Sequence, residues 1–443
     1  DNPVFYAIKG VGGWFQGTFT VFPYSLKVQE YNNWESRDLW EYELDLNPEQ
    51  MDYLLRHLWE LGEIYFDYYY FQENCSYHML TVLEAANPEW HLTDDFIFSV
   101  IPSDTIKVLV EQPGLVSNVH YRPAILSKMS HKIEQMESAE RGVLYELVED
   151  KSALERDAYN SLKVPEKALV LDAYLDYLEY LYIQDRAVNP MAPIRIPQNT
   201  LLERAQLEHT RGDTEIARFS TPPEEGHGTD RFRVAVGLND SELFQEIGYR
   251  PALHDLLARD EGYERHSQIL MMDGLYRYYY ETKRLRVERF RFIDIITLTP
   301  FEPIFKKPSW KVNLGFDRIR DFDCDYCLAF GGNTGVGLTY QPGLHSPFLM
   351  FAMMEADAQT SGSFDDNFRL GGGATGGLFL DVYKDVRLFL GGEYKRFPLG
   401  HESEFVKWTA QGRYAVSQNI DVRLEYRRID ETDEGLLALN LYF

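Results

Sequence analysis

Over the last half of the chain, apolar and polar residues alternate with a period of two. In "NIDVRLEYRR", Ile420, Val422, Leu424 and Tyr426 share one face of an extended segment, and Asp421, Arg423, Glu425 and Arg427 share the other. The preceding segment repeats this, with Val406, Trp408, Ala410, Gly412, Tyr414 and Val416 against Lys407, Thr409, Gln411 and Arg413, and "SQN" between the two reads as a tight turn. Val386, Leu388, Leu390 and Tyr394 oppose Arg387, Glu393 and Lys395, and the chain ends with Leu437, Leu439, Leu441 and Phe443 on one face. Counting back from the end predicts about twelve strands, near 231–239, 242–252, 266–281, 284–298, 309–319, 327–341, 347–357, 366–382, 386–397, 404–416, 420–429 and 434–443.

An even number of antiparallel strands is what single-chain bacterial outer-membrane barrels use. Alternate connections reinforce that reading. "RIDETDEG", "PLGHESE", "QTSGSFDDN" and "RDFDCDY" are long or acidic, as outer loops are, whereas "YKD" and "SQN" are short, although the early links "NDS" and "TKR" break the rule. The terminal aromatic resembles the assembly signal of outer-membrane proteins, and an even count leaves both barrel ends on the periplasmic side. A soluble sandwich or lipocalin-like barrel also alternates, with its apolar face inward. Charged residues such as Arg423, Glu425 and Arg427 are easier to solvate in a polar lumen. Trp310, Tyr340, Trp408, Tyr414 and Tyr426 are placed to form interfacial girdles, so the membrane barrel is the expectation.

The first half has mixed periodicity. "LWEYELDL" alternates Trp40, Tyr42, Leu44 and Leu46 against Glu41, Glu43 and Asp45, as a half-buried strand does. In "NPEQ", Asn47 can cap a helix, Pro48 suits its first position and Gln50 its third; Met51, Leu54, Leu55, Leu58 and Leu61 then form a helical apolar stripe ending at Gly62. The aromatic strand "IYFDYYYF" leads into "FQENCSYHML", and Leu80, Leu83 and Ala86 carry a second helix to Pro88. Residues 125–188 repeat apolar positions at three- and four-residue spacing on both sides of Val164-Pro165, which predicts a helical hairpin near the barrel mouth. "QNTLLERAQLEH" adds a short helix, and "RFSTPPEEGHGTDRFRV" reads as a boundary holding His227.

Composition bounds the functions. The chain has 443 residues, too many for one compact core, and is 44% hydrophobic with 30 Tyr and 27 Phe. Its net charge of -26 leaves no excess of Lys or Arg to neutralise phosphates, so nucleic acid is not an expected partner. No apolar run is long enough for a transmembrane helix, which does not bear on barrel strands. Residue 1 is Asp with no charged-then-apolar leader, so the expectation is a removed signal peptide or an internal start.

Cys75 falls at a strand-to-helix junction, where unpaired N–H groups and the helix dipole favour a thiolate. The alternative is a small buried hydrophobe, which free Cys commonly is. His78, three residues on, is a base or a surface imidazole; His57, His91, His120 and His131 have no motif around them. Cys324 and Cys327 in "FDCDYC" can pair in an oxidising compartment, which would leave Cys75 as the odd free thiol. Asp321, Asp323 and Asp325 alternate, but they lack the glycine and distal glutamate of a calcium loop. No cofactor or metal is expected.

"RDLWEYEL", "FDYYYFQENCSYHMLTVLE" and "YRPA" at 121–124 resemble the periplasmic thiol domain of Lnb-type lipoprotein N-acyltransferases and their relatives. The "NC" at a helix start is also similar to permuted papain-fold hydrolases and acyltransferases of the NlpC and lecithin:retinol acyltransferase type. The resemblance covers residues 1 to about 125 and is most specific around Asn74 and Cys75. It implies that Cys75 is a nucleophile attacking an acyl carbonyl through a thioester. It also implies a general-base histidine on a strand upstream of this region, so the base is expected either upstream of Asp1 or at His78. The expected class is multi-domain, α+β and all-β. A papain-like α+β thiol domain lacking its N-terminal part spans 1–123, a helical linker 124–222, and an outer-membrane barrel of about twelve antiparallel strands 223–443. The leading function is an outer-membrane protein whose periplasmic domain uses Cys75, with Asn74 and His78, as a hydrolase or acyltransferase on acyl, lipid or lipoprotein substrates. Membrane lipid, a lipoprotein or acyl-lipid substrate and an upstream segment of the same protein are the expected partners. A non-catalytic barrel for transport or envelope architecture, with the thiol domain as plug or docking module, is the alternative, and peptidase or peptidoglycan amidase chemistry a third reading.

Overall fold

The computed structural model describes residues 9–10, 12–96, 99–189, 197–207, 221–240, 242–320, 327–343 and 345–443. In the N-terminal region, β1 (Phe15–Thr18) pairs antiparallel with β3 (Tyr65–Tyr68), and β2 (Leu39–Leu44) with β4 (Val116–Arg122), as two separate two-stranded sheets. Leu80, Leu83, Leu92, Leu109 and Leu115 form the core beneath them. The helix Pro48–Leu61 starts where the capping signal places it: the Asn47 carboxamide accepts from the N–H groups of Glu49 and Gln50, and the Gln50 side chain answers to the Asn47 N–H. Its apolar stripe is not a core, however. No residue of this helix is fully buried, and Trp59 is 87% exposed. The helix Pro102–Glu111 has no side-chain cap, and the sequence reading did not anticipate it.

The middle region is helical, with a different division from the expected hairpin. Residues 125–163 break into Ile125–Gln135, Ser138–Glu149, a 3-10 turn and Asp157–Asn160, and the first two pack along one long helix, Val164–Val188. Pro165 sits in the first turn of that helix, where its missing N–H costs nothing, so Val164-Pro165 opens the helix. Met129, Leu144, Leu147, Leu171 and Tyr174 fill this core, and Ile304 and Phe305 from a barrel connection pack against it.

The remaining residues form one sheet of thirteen strands: β5 (Arg231–Asn239), β6 (Glu242–Arg250), β7 (Ala252–His254), β8 (Ser267–Tyr279), β9 (Arg284–Thr297), β10 (Ser309–Arg318) and β11 (Leu328–Tyr340) come first. Then follow β12 (Phe348–Thr360), β13 (Phe368–Tyr383), β14 (Val386–Gly400), β15 (Ser403–Ser417), β16 (Ile420–Ile429) and β17 (Thr432–Tyr442). β17 pairs with β5, and β6 with β8, so the twelve long strands close into an antiparallel barrel that leaves only the short β7 as an appendage.

The faces are inverted relative to a water-soluble barrel. Arg231, Arg233, Asp421, Arg423 and Glu434 are buried inside, whereas Val236, Leu390, Trp408, Tyr414, Leu424 and Leu437 stand outside, Leu424 with 67% of its surface exposed. A soluble β protein arranged this way would bury its charges and leave its apolar side chains in water. The hydrocarbon of a bilayer removes that penalty, so the barrel is a membrane barrel. Leu424 lies mid-strand. Leu424→Arg is therefore expected to cost the barrel about 2–4 kcal/mol in urea unfolding from phospholipid vesicles. A cost below about 0.5 kcal/mol, usual for a water-facing site, would overturn the lipid-facing assignment.

Both barrel termini lie at the end facing the N-terminal region, where the backbones of Asp230 and Phe443 exchange two hydrogen bonds of 3.1 Å. Gly228 permits this approach, since a methyl group on it would lie 2.4 Å from the Phe443 backbone. The expected loop asymmetry is corrected. At the far end, the links after Gly400 and Ile429 contract to 401–402 and 430–431, because their polar residues continue the ladder, as in the pairing of Arg396 with Glu404. Three long connections, 251–266, 298–308 and 341–347, lie at the near end, while the links between β10 and β11 and between β12 and β13 stay long at the far end as expected.

One of them is a plug. Residues 251–266 turn into the barrel and bury Ala252, His254, Asp255, Leu257 and Ala258. Asp255 accepts from Arg231 at 3.2 Å, Arg250 at 2.9 Å and Arg423 at 2.9 Å. Arg387 grips Asp260 and the carbonyl of Leu256, and Arg413 the carbonyl of Leu257 at 2.8 Å.

Candidate functional site

The thiol site is built by the turn between β3 and the helix Cys75–Ala86. After Tyr68 the chain leaves the ladder, and the Tyr69 N–H closes the turn on the Glu73 carbonyl at 3.2 Å. Asn74 then takes an extended conformation, with φ -91° and ψ -174°, and caps the helix. Its Oδ1 accepts from the N–H of Ser76 at 3.1 Å, the N–H of Tyr77 at 3.2 Å and the Ser76 hydroxyl at 2.8 Å. Its Nδ2 donates to the carbonyls of Val100 at 2.6 Å and Tyr70 at 3.2 Å. Asn74 is 4% exposed and meets five partners, so it fixes both the turn and the first helical position.

That position is Cys75, whose thiol is free and exposed. Capping by Asn74 consumes the N–H groups of Ser76 and Tyr77. This narrows the oxyanion donors expected at the helix end to the N–H of Cys75, which no acceptor among the described residues takes. Met79, four residues on and so on the same helical face, is exposed.

His78 is not hydrogen-bonded to the thiol. Its ring packs between the helix and the first sheet, with its centroid 3.6 Å from that of Phe66 and 6.3 Å from that of Phe19, and its Nε2 is buried with no partner. Burial pushes the imidazole below the usual histidine range, against the opposing charge and backbone of Glu73, so the neutral ring is favoured. The structure thus places His78 one helical turn from Cys75 in an aromatic pocket, with no hydrogen bond between the two among the described residues.

The site is tied to the barrel mouth through Val100, whose carbonyl holds Asn74 and whose N–H donates to Phe71 at 2.8 Å. The neighbouring Ser99 hydroxyl bonds Asp230 at 2.8 Å and the Pro251 carbonyl at 3.1 Å. Lys107 donates to the His227 carbonyl at 2.7 Å. His227 itself is buried in this junction, its Nε2 3.1 Å from His254 Nδ1 and its ring stacked on Tyr263 and tilted against Tyr442. It belongs to the seam and not to the thiol site. His91 faces Asp94 at 3.4 Å and His131 meets Gln135 at 2.8 Å. Cys327 is disulfide-bonded, and Cys324 lies outside the described residues together with Asp321, Asp323 and Asp325. The sequence reading missed the plug: its partners Arg387, Arg413 and Arg423 come from strands more than a hundred residues away, and no local pattern announces them.

Three family models match the chain. Residues 1–112 match the Lnb N-terminal periplasmic domain, residues 119–216 a domain of unknown function (DUF7842), and residues 220–443 another domain of unknown function (DUF7840). No curated protein matches. Solved structures similar to the barrel include the COG4313 outer membrane channel from Pseudomonas putida F1 (9% identity, 53% of this chain, 100% of that one, TM-score 0.32). Others are the KdgM porin in complex with disordered oligogalacturonate (10%, 48%, 99%, 0.26) and a loop L8 deletion mutant of OmpT from Vibrio cholerae (8%, 48%, 98%, 0.25). The membrane placement stands on the inverted polarity of the barrel, and the periplasmic domain match puts the N-terminal region on the inner side of the outer membrane.

Proposed function

The chain belongs to the family described as domain of unknown function (DUF7840), and from that premise we propose that its outer-membrane barrel anchors a periplasmic thiol acyltransferase or hydrolase. The observation that carries the reading is Cys75: an exposed free thiol at the first position of a helix whose cap is locked by five contacts. A nucleophile needs access, a fixed position and stabilisation of its anion, and a helix N-terminus supplies the third. Attack on an acyl ester or amide, with a neutral His78 taking the thiol proton and the Cys75 N–H facing the oxyanion, would break the C–O or C–N bond. The alcohol or amine leaves with the proton held by His78, and water or an acceptor amine then takes the acyl group from the Cys75 thioester. The papain-like reading of the domain belongs to this proposal, supported by the thiol at the head of a helix that packs on a small sheet. Exposed Met79, Tyr70 and Trp14, and a tether that ends at the barrel rim, favour acyl-lipid or lipoprotein substrates over soluble peptides.

The test is iodoacetamide labelling of the folded protein as a function of pH. Cys75 is expected to label well below pH 8, with the advantage lost on denaturation. His78→Gln is expected to lower acyl transfer from a nitrophenyl ester by about 10²–10⁴ if the imidazole is the base. An inert thiol with native folding would exclude the enzyme and leave a docking module.

A further inference from the structure

The end of the barrel away from the plug is hollow. A cavity of about 320 Å³ lies among Arg318 and Arg320 at the end of β10, Arg369 at the start of β13, Lys407 on β15 and Arg427 on β16. Among the described residues, nine of its lining side chains are Arg or Lys and six are Asp or Glu. In a chain whose net charge is -26, this chamber is the reverse of the whole.

Three of the six lining carboxylates are shared, while Asp317 takes Arg291, Asp357 takes Lys395, and Asp294 lies 3.7 Å from the Nε of Arg291. Glu355 accepts from both Lys311 and Lys395, Glu393 accepts from Lys407 and lies 3.7 Å from Lys395, and Glu288 accepts from Arg318 at 3.1 Å and Arg320 at 2.6 Å. Two more acids behind the wall do not close the gap. Glu434 serves Arg277 as well as Arg320 and Arg427, and Asp273 serves Arg231 as well as Arg289. The Nε of Arg289 is buried without an acceptor among the described residues. The three lining lysines are matched by Glu355, Asp357 and Glu393, so the excess of cations lies with the arginines, and the low-dielectric wall enlarges what an added anion would gain.

We propose that this chamber is a binding site for a small polyanion, a molecule carrying two or more phosphate or carboxylate groups. The volume lies at the lower end of the range for small-molecule pockets, roughly 300–1,000 Å³. Guanidinium groups also present paired donors that suit either group. The site is independent of Cys75 and of the plug.

The experiment is calorimetric titration of the full-length folded protein in zwitterionic detergent. Inorganic pyrophosphate is the phosphate arm, citrate the carboxylate arm, and choline chloride at matched ionic strength the control. Saturable binding of either anion is expected, and binding of one alone would also identify the ligand's acid group. Lys407→Gln is expected to weaken it about tenfold, the change that one lost charge contact of 1.4 kcal/mol gives. Glu393→Gln, which removes the competing carboxylate of the same ion pair, is expected to tighten it. Loss of fold cannot produce effects of opposite sign. The proposal is overturned if neither anion binds the folded parent above the control, or if both substitutions shift binding in the same direction.

Discussion

Asp255→Leu is expected to cost the barrel at least about 3–5 kcal/mol, the range for removing one partner of a buried ion pair. The value should lie at the upper end or beyond, because this single carboxylate faces Arg231, Arg250 and Arg423, all of them buried. Arg423 keeps Asp421 at 3.0 Å and Arg231 keeps Asp273 at 2.8 Å, but no second carboxylate ion pair holds Arg250 among the described residues. Urea unfolding in vesicles, or loss of the heat-modifiable folded band, is the measurement. The same substitution removes the inward anchor of residues 251–266, so ion conductance across a planar bilayer should rise above that of the parent. A combined Asp255→Leu and Arg250→Met variant should recover part of the loss, since the remaining charges are then better matched. Parental stability in Asp255→Leu would show that the plug is held by its other contacts, those of Arg387 and Arg413, without Asp255.

The barrel was legible in the sequence because its signal is local. Each strand carries its own alternation, and "NIDVRLEYRR" predicts a strand over 420–429 that the structure places at Ile420–Ile429. What alternation alone does not give is the direction of each face. A soluble barrel and a membrane barrel share the period, and only the burial of Arg423 and Asp421 opposite an exposed Leu424 separates them. The helix start at Pro48 was legible for the same local reason, an asparagine cap within reach of the N–H groups it satisfies.

Two kinds of feature stayed hidden. The plug depends on partners that only barrel closure brings together, and the helix Pro102–Glu111 begins at Ile101 without a side-chain cap to mark it. The thiol site was half legible. Position 75 at a helix head followed from the sequence, but the assignment of Ser76 and Tyr77 N–H groups to the Asn74 side chain did not, and it changes which donor is left beside the thiol.

Asn74→Ala should therefore act on stability and chemistry together. Loss of an asparagine cap costs about 0.5–2 kcal/mol. Here the side chain also satisfies the carbonyls of Val100 and Tyr70 in a buried setting, and stranding a buried polar group costs about 1–3 kcal/mol more. A total near 2–4 kcal/mol is expected for the N-terminal region in thermal or urea unfolding. The Ser76 and Tyr77 N–H groups would be freed toward Cys75, so the cap's loss adds oxyanion donors while it loosens the turn that aims the thiol. Asn74→Asp separates the two effects. It keeps the capping acceptor, loses the donor to Val100 and Tyr70, and places a negative charge beside the thiol, which should raise the pH at which Cys75 labels. If Asn74→Ala destabilises the domain but leaves the labelling pH unchanged, Asn74 is a structural cap with no hand in the reactivity of Cys75. A shift in labelling for Asn74→Asp with little loss of stability would tie the cap directly to the thiol.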